Sequence, residues 1–431
     1  MATPPSTSSS GKRLSFPSSK VSPPPHEEHP DFDPVLAGIA SRILFRSGID
    51  PISSGPLYVI SAAALPDPKT TDYDRLLPYV LSCLPSDDEL ADSSLGGGTY
   101  SLVLFAGGRA DGKTNRPPWG WILQAYYLLG RAVRKKIQRL WIVHERAWIR
   151  IILEMLQTVV SPKFRRKIIH VTDLSELSHH INICKLEIPL QVYLHDRKLC
   201  PYIQIPHPPP PLFGEPPFPH IAGQRKDEIP IVLTDCSRYL RAYGLRTEGL
   251  FRVAASKQIL DIAQEAYDRR QRIRMNEFGP HVAAGLVKLY YRSLPSPIIP
   301  ERIYEDLEVR FDKNNTASKE ETLRILLYNT ETNGGLPEDS RKLLTRHLLP
   351  LLSLVAAHEP DNKMTASNLA ICISASLTRS EDIMRDTEIS RGPVKLLIQW
   401  GIEEFDRLSP ALPQRKSSTG IDSEKGGATV F

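Results

Sequence analysis

Between residues 35 and 198, short apolar runs of strand type alternate with stretches of helical periodicity. Four runs are rich in β-branched and aromatic residues: Leu57–Ser61, Tyr100–Ala106, Arg139–His144 and Lys167–Thr172. Helix-length patterns fill the gaps at 72–84, 119–136 and 145–160. Strands separated by helix-length segments need right-handed crossovers, which predicts an α/β domain with a mainly parallel sheet. From 225 to 407 the period is helical throughout. Ile229, Val232, Leu233, Cys236, Leu240 and Tyr243 recur at helical spacing, and Gly244 is a natural stop. Leu344, Leu348, Leu351, Leu352 and Val355 form another apolar stripe. Both stripes predict core-facing helices and an all-α domain.

Three polar segments separate or flank these regions. Residues 1–34 hold eight Ser and eight Pro, too few apolar groups to offset the entropy of ordering, and are expected to be a disordered arm. Residues 199–224 form a proline-rich linker, with nine prolines between Pro201 and Pro219. Such a run favours an extended polyproline helix. It serves as a spacer alone, or also as a ligand for a proline-reading module. Residues 408–431 are expected to be a second disordered tail.

The chain has 431 residues, enough for two or three domains, and its 38 prolines are an excess that these segments absorb. A net charge of +5 is too small and too dispersed to argue for nucleic acid. No uncharged apolar run approaches the ~18 residues of a membrane span. The N-terminus lacks the charged-then-apolar pattern of a secretory signal. The five cysteines, Cys83, Cys184, Cys200, Cys236 and Cys372, have no CxxC spacing, which argues against a disulfide framework and a cysteine zinc site. These features together predict a soluble, cytoplasmic protein.

One string matches a nucleotide motif. Gly107–Thr114 (GGRADGKT) satisfies the phosphate-loop pattern and follows a strand. That loop works only where a helix starts at its Gly-Lys-Thr, because the helix N-terminus supplies the phosphate donors. Here Asn115-Arg116-Pro117-Pro118 follows at once. Tandem prolines would remove donors within the first turns. The helix is therefore expected to start at Trp119, and 107–114 to be a loop without a nucleotide.

The first domain has a more specific likeness. RPPWGWILQAYYLLGRAVRKKIQR runs into LWIVHERAWIR, then SPKFRRKIIHVTDLSEL and IPLQVYLHD. Over roughly 55–197 this resembles the CRAL-TRIO-like (BCH-type) domain. The markers are Trp121, Val143-His144, Ser161–Phe164 and Ser175–Leu177. The resemblance implies either lipid held in an apolar pocket or protein binding, small GTPases included. Arg131, Arg134, Lys135, Lys136 and Arg139, with Lys163, Arg165, Arg166 and Lys167, form basic clusters. They suit either anionic headgroups, and so membrane recruitment, or a solvated face.

In the second domain three segments stand out. Gly244 and Gly249 bracket Leu245–Val253 (LRTEGLFRV), lifting it out of the preceding helix, with Leu250 and Phe251 as anchors below Arg252. In His281–Pro297 (HVAAGLVKLYYRSLPSP), Lys288 and Arg292 are four apart on one helical face. The helix must stop at Leu294 before Pro295 and Pro297. In Asn362–Leu377 (NKMTASNLAICISASL), Thr365 is a helix cap and Asn368 falls in the first turn.

The ordered set EGLFR, K-x-x-x-R-x-L-P-x-P and NKMT-x-x-NLA closely resembles the RhoGAP domain, over about 225–407. The whole chain resembles Rho GTPase-activating proteins that carry a BCH-type domain, a proline linker and a RhoGAP domain. The resemblance implies an activator of GTP hydrolysis by GTP-bound Rho-family small GTPases, and no enzyme with a small substrate of its own. Arg252 matches the arginine finger. Lys288 and Arg292 match a basic pair that binds the GTPase and supports the finger loop, although Arg292 also fits a buried structural arginine. Asn368 matches a polar residue that steadies the finger and the partner contact. No cofactor or metal is implied for this chain, since GTP and Mg²⁺ belong to the partner. Three places depart from the family pattern: Ser293 and Ser296 replace glutamates, Ser340 replaces asparagine, and Ser374-Ala375-Ser376 replaces Gly/Ala-Pro-Asn. The last keeps open a module that binds GTPases without accelerating them.

Overall fold

The computed structural model describes residues 24–408 apart from 26, 86–97, 109–114, 130, 157–160, 222–223, 226 and 313–316. Most of both tails and residues 109–114 of the phosphate-loop string, including Lys113, therefore lie outside the described residues. The described residues fall into two compact units, one within 1–210 together with 269–277, the other within 211–268 together with 278–431.

In the first unit the order is α1 (Pro34–Ile43), β1 (Leu44–Ile49), β2 (Pro56–Ser61), α2 (Tyr73–Ser82), β3 (Tyr100–Phe105), α3 (Trp119–Leu128), α4 (Arg131–Lys136), β4 (Ile137–Val143), α5 (Ala147–Leu156), α6 (Pro162–Arg165), β5 (Ile168–Val171), α7 (Leu174–His180) and α8 (Leu190–Leu199). The strands form one sheet in the order β1-β2-β3-β4-β5. β1 pairs antiparallel with β2, and the other pairs are parallel. The parallel sheet and its four predicted strands are present. β2 and β3 are buried along nearly their whole length, which is why both read as continuous apolar runs.

Two features differ from the expectation. β1 is an additional strand that runs on directly from α1 and bends at Gly48, φ +81°. The helix expected over 119–136 divides into α3 and α4, with Leu129 as the C-cap of α3 and the poor helix former Gly130 next in sequence. β4 then starts two residues early, because Ile137 is buried and pairs with Tyr100. As expected, α3 begins at Trp119, immediately after its N-cap Pro118. Among the described residues no helix is long and apolar enough to cross a membrane.

Among its described residues the second unit is helical apart from the two-stranded ladder His220–Ile221 with Gln224–Arg225 and an isolated bridge between Ile299 and Thr378. Its main helices are α9 (Ile231–Tyr239), α10 (Lys257–Asp268), α11 (Pro280–Ser293), α12 (Tyr304–Arg310), α13 (Lys319–Tyr328), α14 (Glu338–Leu343), α15 (Leu349–Ala356), α16 (Ala366–Ser374), α17 (Ile383–Arg391) and α18 (Pro393–Glu403). Both predicted stripes face the core, except that Tyr243 is exposed and Ile229 half-buried. Residues 201–219 contain no helix or strand. The later part of this segment packs on the second unit. Phe213 and Phe218 are buried, and the Leu212 and Phe213 amides donate to Asp268 Oδ1 at 2.7 and 3.0 Å.

A polar hub lies inside the helical core. His347 sits 2.7 Å from Ser237 Oγ, 2.7 Å from Tyr291 Oη and 3.2 Å from the Leu233 carbonyl. Burial holds its imidazole down to about 4, with Arg241 adding to the shift and the Leu233 carbonyl opposing it. The unfolded chain takes up this proton near pH 6.5, whereas the folded chain resists until about pH 4. Stability should therefore be complete above pH 6.5 and fall as pH drops from 6.5 towards 4. The loss should be on the order of 3 kcal/mol. His347→Phe should flatten that part of a denaturation-versus-pH curve. An unchanged slope would contradict a buried neutral His347.

Candidate functional site: an exposed arginine on a pinned loop

α9 ends in a π-helical turn, Leu240–Gly244, and the chain then leaves the helix through tight turns. The Thr247 amide donates to the Gly244 carbonyl at 2.9 Å. Gly249 has φ +66°, and a Cβ there would stand 2.7 Å from Val253 Cγ2. Only glycine meets both constraints cheaply. Phe251 also takes a left-handed conformation, φ +68°, which costs a non-glycine residue about 1–2 kcal/mol. Burial offsets that cost: Leu250 is 0% exposed and Phe251 1% exposed. Arg252 follows, exposed, with its amide donating to the Gly249 carbonyl at 2.9 Å. Its guanidinium folds over Gly249, in space that a larger residue would contest.

Three further bonds hold the loop from outside. Lys288 Nζ, from α11, donates to the Phe251 carbonyl at 2.7 Å. The Gly249 amide donates to the Asn362 carbonyl at 2.8 Å. Asn362 Nδ2 donates to the Leu245 and Val355 carbonyls, both at 2.7 Å. Asn362 Oδ1 accepts the Met364 amide at 2.8 Å, and the residue is wholly buried. Asn362 stands first in the segment Asn362–Leu377, and no local pattern marks it as a support of the arginine loop. Its only sequence signal is its place before Lys-Met-Thr, because its partners are 117 and 7 residues away.

Thr365 caps α16 as expected, accepting the Asn368 amide at 3.1 Å. Asn368 is half-buried in the first turn. One turn on, the half-buried Cys372 feels the charges of Lys288 and Arg252. Burial is the larger effect and pushes its thiol up, while the two cations oppose it. Asn368 lies four residues before Cys372, so this face of α16 turns towards the arginine loop. Lys288 is held below the usual lysine range, chiefly by burial, with Arg292 adding repulsion and Cys372 opposing. Arg292 is exposed, which removes the buried structural alternative. Arg252, Lys288 and Arg292 thus share one neighbourhood, with α16 beside it.

The atypical serines are mostly internal. Ser374 and Ser376 are buried, and Ser374 Oγ donates to the Ala370 carbonyl at 2.5 Å. Ala375 alone of that triplet is exposed. Ser340 is buried, whereas Ser293 Oγ donates to the Tyr290 carbonyl at 2.9 Å and Ser296 is exposed.

The first unit contains an apolar cavity of about 680 Å³ between its sheet and helices. Leu102, Ile142 and Ile149 line it, with Tyr100, Trp121 and Trp148. Tyr100 Oη and the Nε1 atoms of both tryptophans find no hydrogen-bond partner among the described residues. Arg134 and Arg165 also border the cavity. α3 (WGWILQAYYL) carries no charge, yet none of its residues is fully buried.

Comparison with known proteins agrees with this two-part organisation. Residues 54–198 match the divergent CRAL/TRIO domain family, and residues 230–382 match the RhoGAP domain family. Mouse Rho GTPase-activating protein 1 is 30% identical over 377 residues, covering 84% of this chain and 82% of that protein. Its human counterpart is 29% identical over the same length and shares of both chains. Mouse Rho GTPase-activating protein 8 is 29% identical over 395 residues, covering 88% of this chain and 87% of that protein. With similarity running through both matched domains of this chain and over 82–87% of these relatives, the chain belongs to the Rho GTPase-activating protein family.

Proposed function

We propose that the protein accelerates GTP hydrolysis by Rho-family small GTPases by supplying Arg252 in trans. The observation that carries this is the construction around Arg252: an exposed arginine on a strained loop, held from below by Leu250 and Phe251 and from the side by Lys288 and Asn362. Strain kept in place by surrounding bonds is typical of a functional loop.

The chemistry follows from charge. As the γ-phosphoryl group transfers to water, negative charge develops on oxygens that the GTPase alone leaves partly unneutralised. A guanidinium stays protonated and presents a planar fork of donors to those oxygens. Because the loop is held before the partner arrives, little reorganisation is needed when charge develops. An arginine supplied this way is worth ~10³–10⁵ in rate. That is roughly 4–7 kcal/mol of transition-state stabilisation. Lys288 keeps the loop in place, and Arg292 with Asn368 meets the partner surface. GTP and Mg²⁺ come with the partner. The test is single-turnover GTP hydrolysis by GTP-loaded Rho-family GTPases with and without the protein. Acceleration supports the proposal, whereas binding without acceleration would make the domain a sequestering module.

A second function in the first unit is favoured by the cavity and its three donors that find no partner among the described residues. An unmade buried hydrogen bond costs about 1–3 kcal/mol, so a ligand with an apolar body and acceptor oxygens fits. A lipid meets that description, and Arg134 and Arg165 suit an anionic headgroup. Through it the protein would be recruited from cytoplasm to membranes. Native mass spectrometry of the purified chain should find lipid bound, and Leu102→Trp, which fills the cavity, should abolish it. Lipid bound equally to that variant would place it elsewhere. The exposed Pro208, Pro210 and Pro211 remain available to a proline-reading module.

A further inference from the structure

The helix that carries Lys288 and Arg292 ends in Leu294-Pro295-Ser296-Pro297. The last carbonyls of a helix lack intrahelical partners and depend on whatever follows. Pro295 and Pro297 have no N–H, so the following chain cannot supply those donors at these positions. Arg379 supplies them. Its Nη2 donates to the Leu294 carbonyl at 2.8 Å and to the Pro295 carbonyl at 2.5 Å, and its Nη1 reaches the Arg292 carbonyl at 3.5 Å. A cation at a helix C-terminus also complements the helix dipole.

Arg379 is itself held in register. Just past α16 the Leu377 carbonyl accepts the Ile299 amide at 2.9 Å, and Thr378 forms an isolated parallel bridge with Ile299. Leu377 and Thr378 are buried while Arg379 is exposed. The guanidinium therefore clips the last turn of α11 to the chain that leaves α16. These helices carry Lys288 and Arg292, and Asn368 and Cys372, respectively.

We propose that Arg379 is a positioning residue for GTPase engagement, fixing the end of α11 so that Arg292 meets the partner at a set height beside α16. This rests on the activator function proposed above. Arg379 touches neither Phe251 nor Arg252 in the bonds described, and the arginine loop has its own supports in Lys288 and Asn362. The clip should therefore govern affinity and leave the chemical step alone.

The test uses the full chain with a Rho-family GTPase, reading the dissociation constant with a non-hydrolysable GTP analogue and the maximal single-turnover rate with GTP. Arg379→Ala should weaken binding roughly tenfold, the scale of one charge-assisted hydrogen bond. Its maximal rate should stay within about twofold of wild type. Arg379→Lys, which keeps the charge but cannot span three carbonyls, should fall between the two, and it serves if the alanine variant unfolds. In an Arg292→Ala background, Arg379→Ala should add less than about twofold, because it acts through Arg292. Full additivity, unchanged affinity, or a maximal rate that falls in step with affinity would overturn the proposal. Wild-type protein that binds the GTPase without accelerating hydrolysis would refute the activator function itself, while the binding measurement would still decide the role of Arg379.

Discussion

Replacing Arg252 with alanine is expected to lower the maximal stimulated rate of GTP hydrolysis by ~10³–10⁵-fold. The concentration of protein needed for half-saturation should change far less. The asymmetry follows from when the guanidinium acts. An exposed side chain folded over Gly249 contributes little to the ground-state surface, and its main interaction is with charge that exists only during transfer. Removing a group used only in the transition state lowers the rate without weakening association. Arg252→Lys should recover little, because an ammonium is a point charge without the planar fork. Rates and half-saturation measured on purified protein separate the outcomes. Equal loss of both would make Arg252 an ordinary contact, and no loss would remove it from the mechanism.

The second large effect is expected at Asn362, which contacts no partner. Asn362→Ala deletes two donated bonds and one accepted bond in a fully buried position. It leaves the Leu245 and Val355 carbonyls and the Met364 amide without this partner. At ~1–3 kcal/mol for a buried polar group left unmade, a loss of about 2–4 kcal/mol is expected. That corresponds to a fall of roughly 5–15 °C in Tm for a domain of this size. The backbone of the same residue anchors Gly249, so the arginine loop should loosen too. The stimulated rate should drop by about 10²-fold at a temperature where the variant is still folded, since small misplacements of a reacting group are costly. Asn362→Asp should not rescue it, because a carboxylate cannot donate to two carbonyls and its charge would be buried. A variant of normal Tm and normal rate would show that the loop is held by Lys288 and its own turns alone.

Much of this was legible along the chain, and what was not shares a cause. The four parallel strands could be read because both faces are covered, so each is an unbroken apolar run. β1 could not, since it continues α1 without a turn signal and bends at Gly48. The helix-stop at Leu294 was visible in two prolines, but the arginine that completes that end lies 85 residues on. Asn362 was hidden in the same way, bonded to a carbonyl 117 residues away. Phe213 and Phe218 were masked by the prolines around them, whose composition suggested a free spacer although both rings are buried. Local pattern thus located the elements and the ordered motifs. The long-range bonds that hold the arginine loop in place have no periodicity to reveal them.

The central claim is that Arg252 serves the transition state of a partner's reaction. Affinity for a Rho-family GTPase should be measured in two nucleotide states: with a non-hydrolysable GTP analogue, and with GDP plus aluminium fluoride, which mimics the phosphoryl group in transfer. The wild-type protein should bind the second at least ~10²-fold more tightly, as transition-state analogues do. Arg252→Ala should lose that preference while keeping its affinity for the first. Equal affinity of the wild-type protein for both states would contradict the mechanism and leave a domain that holds the GTPase without helping its chemistry.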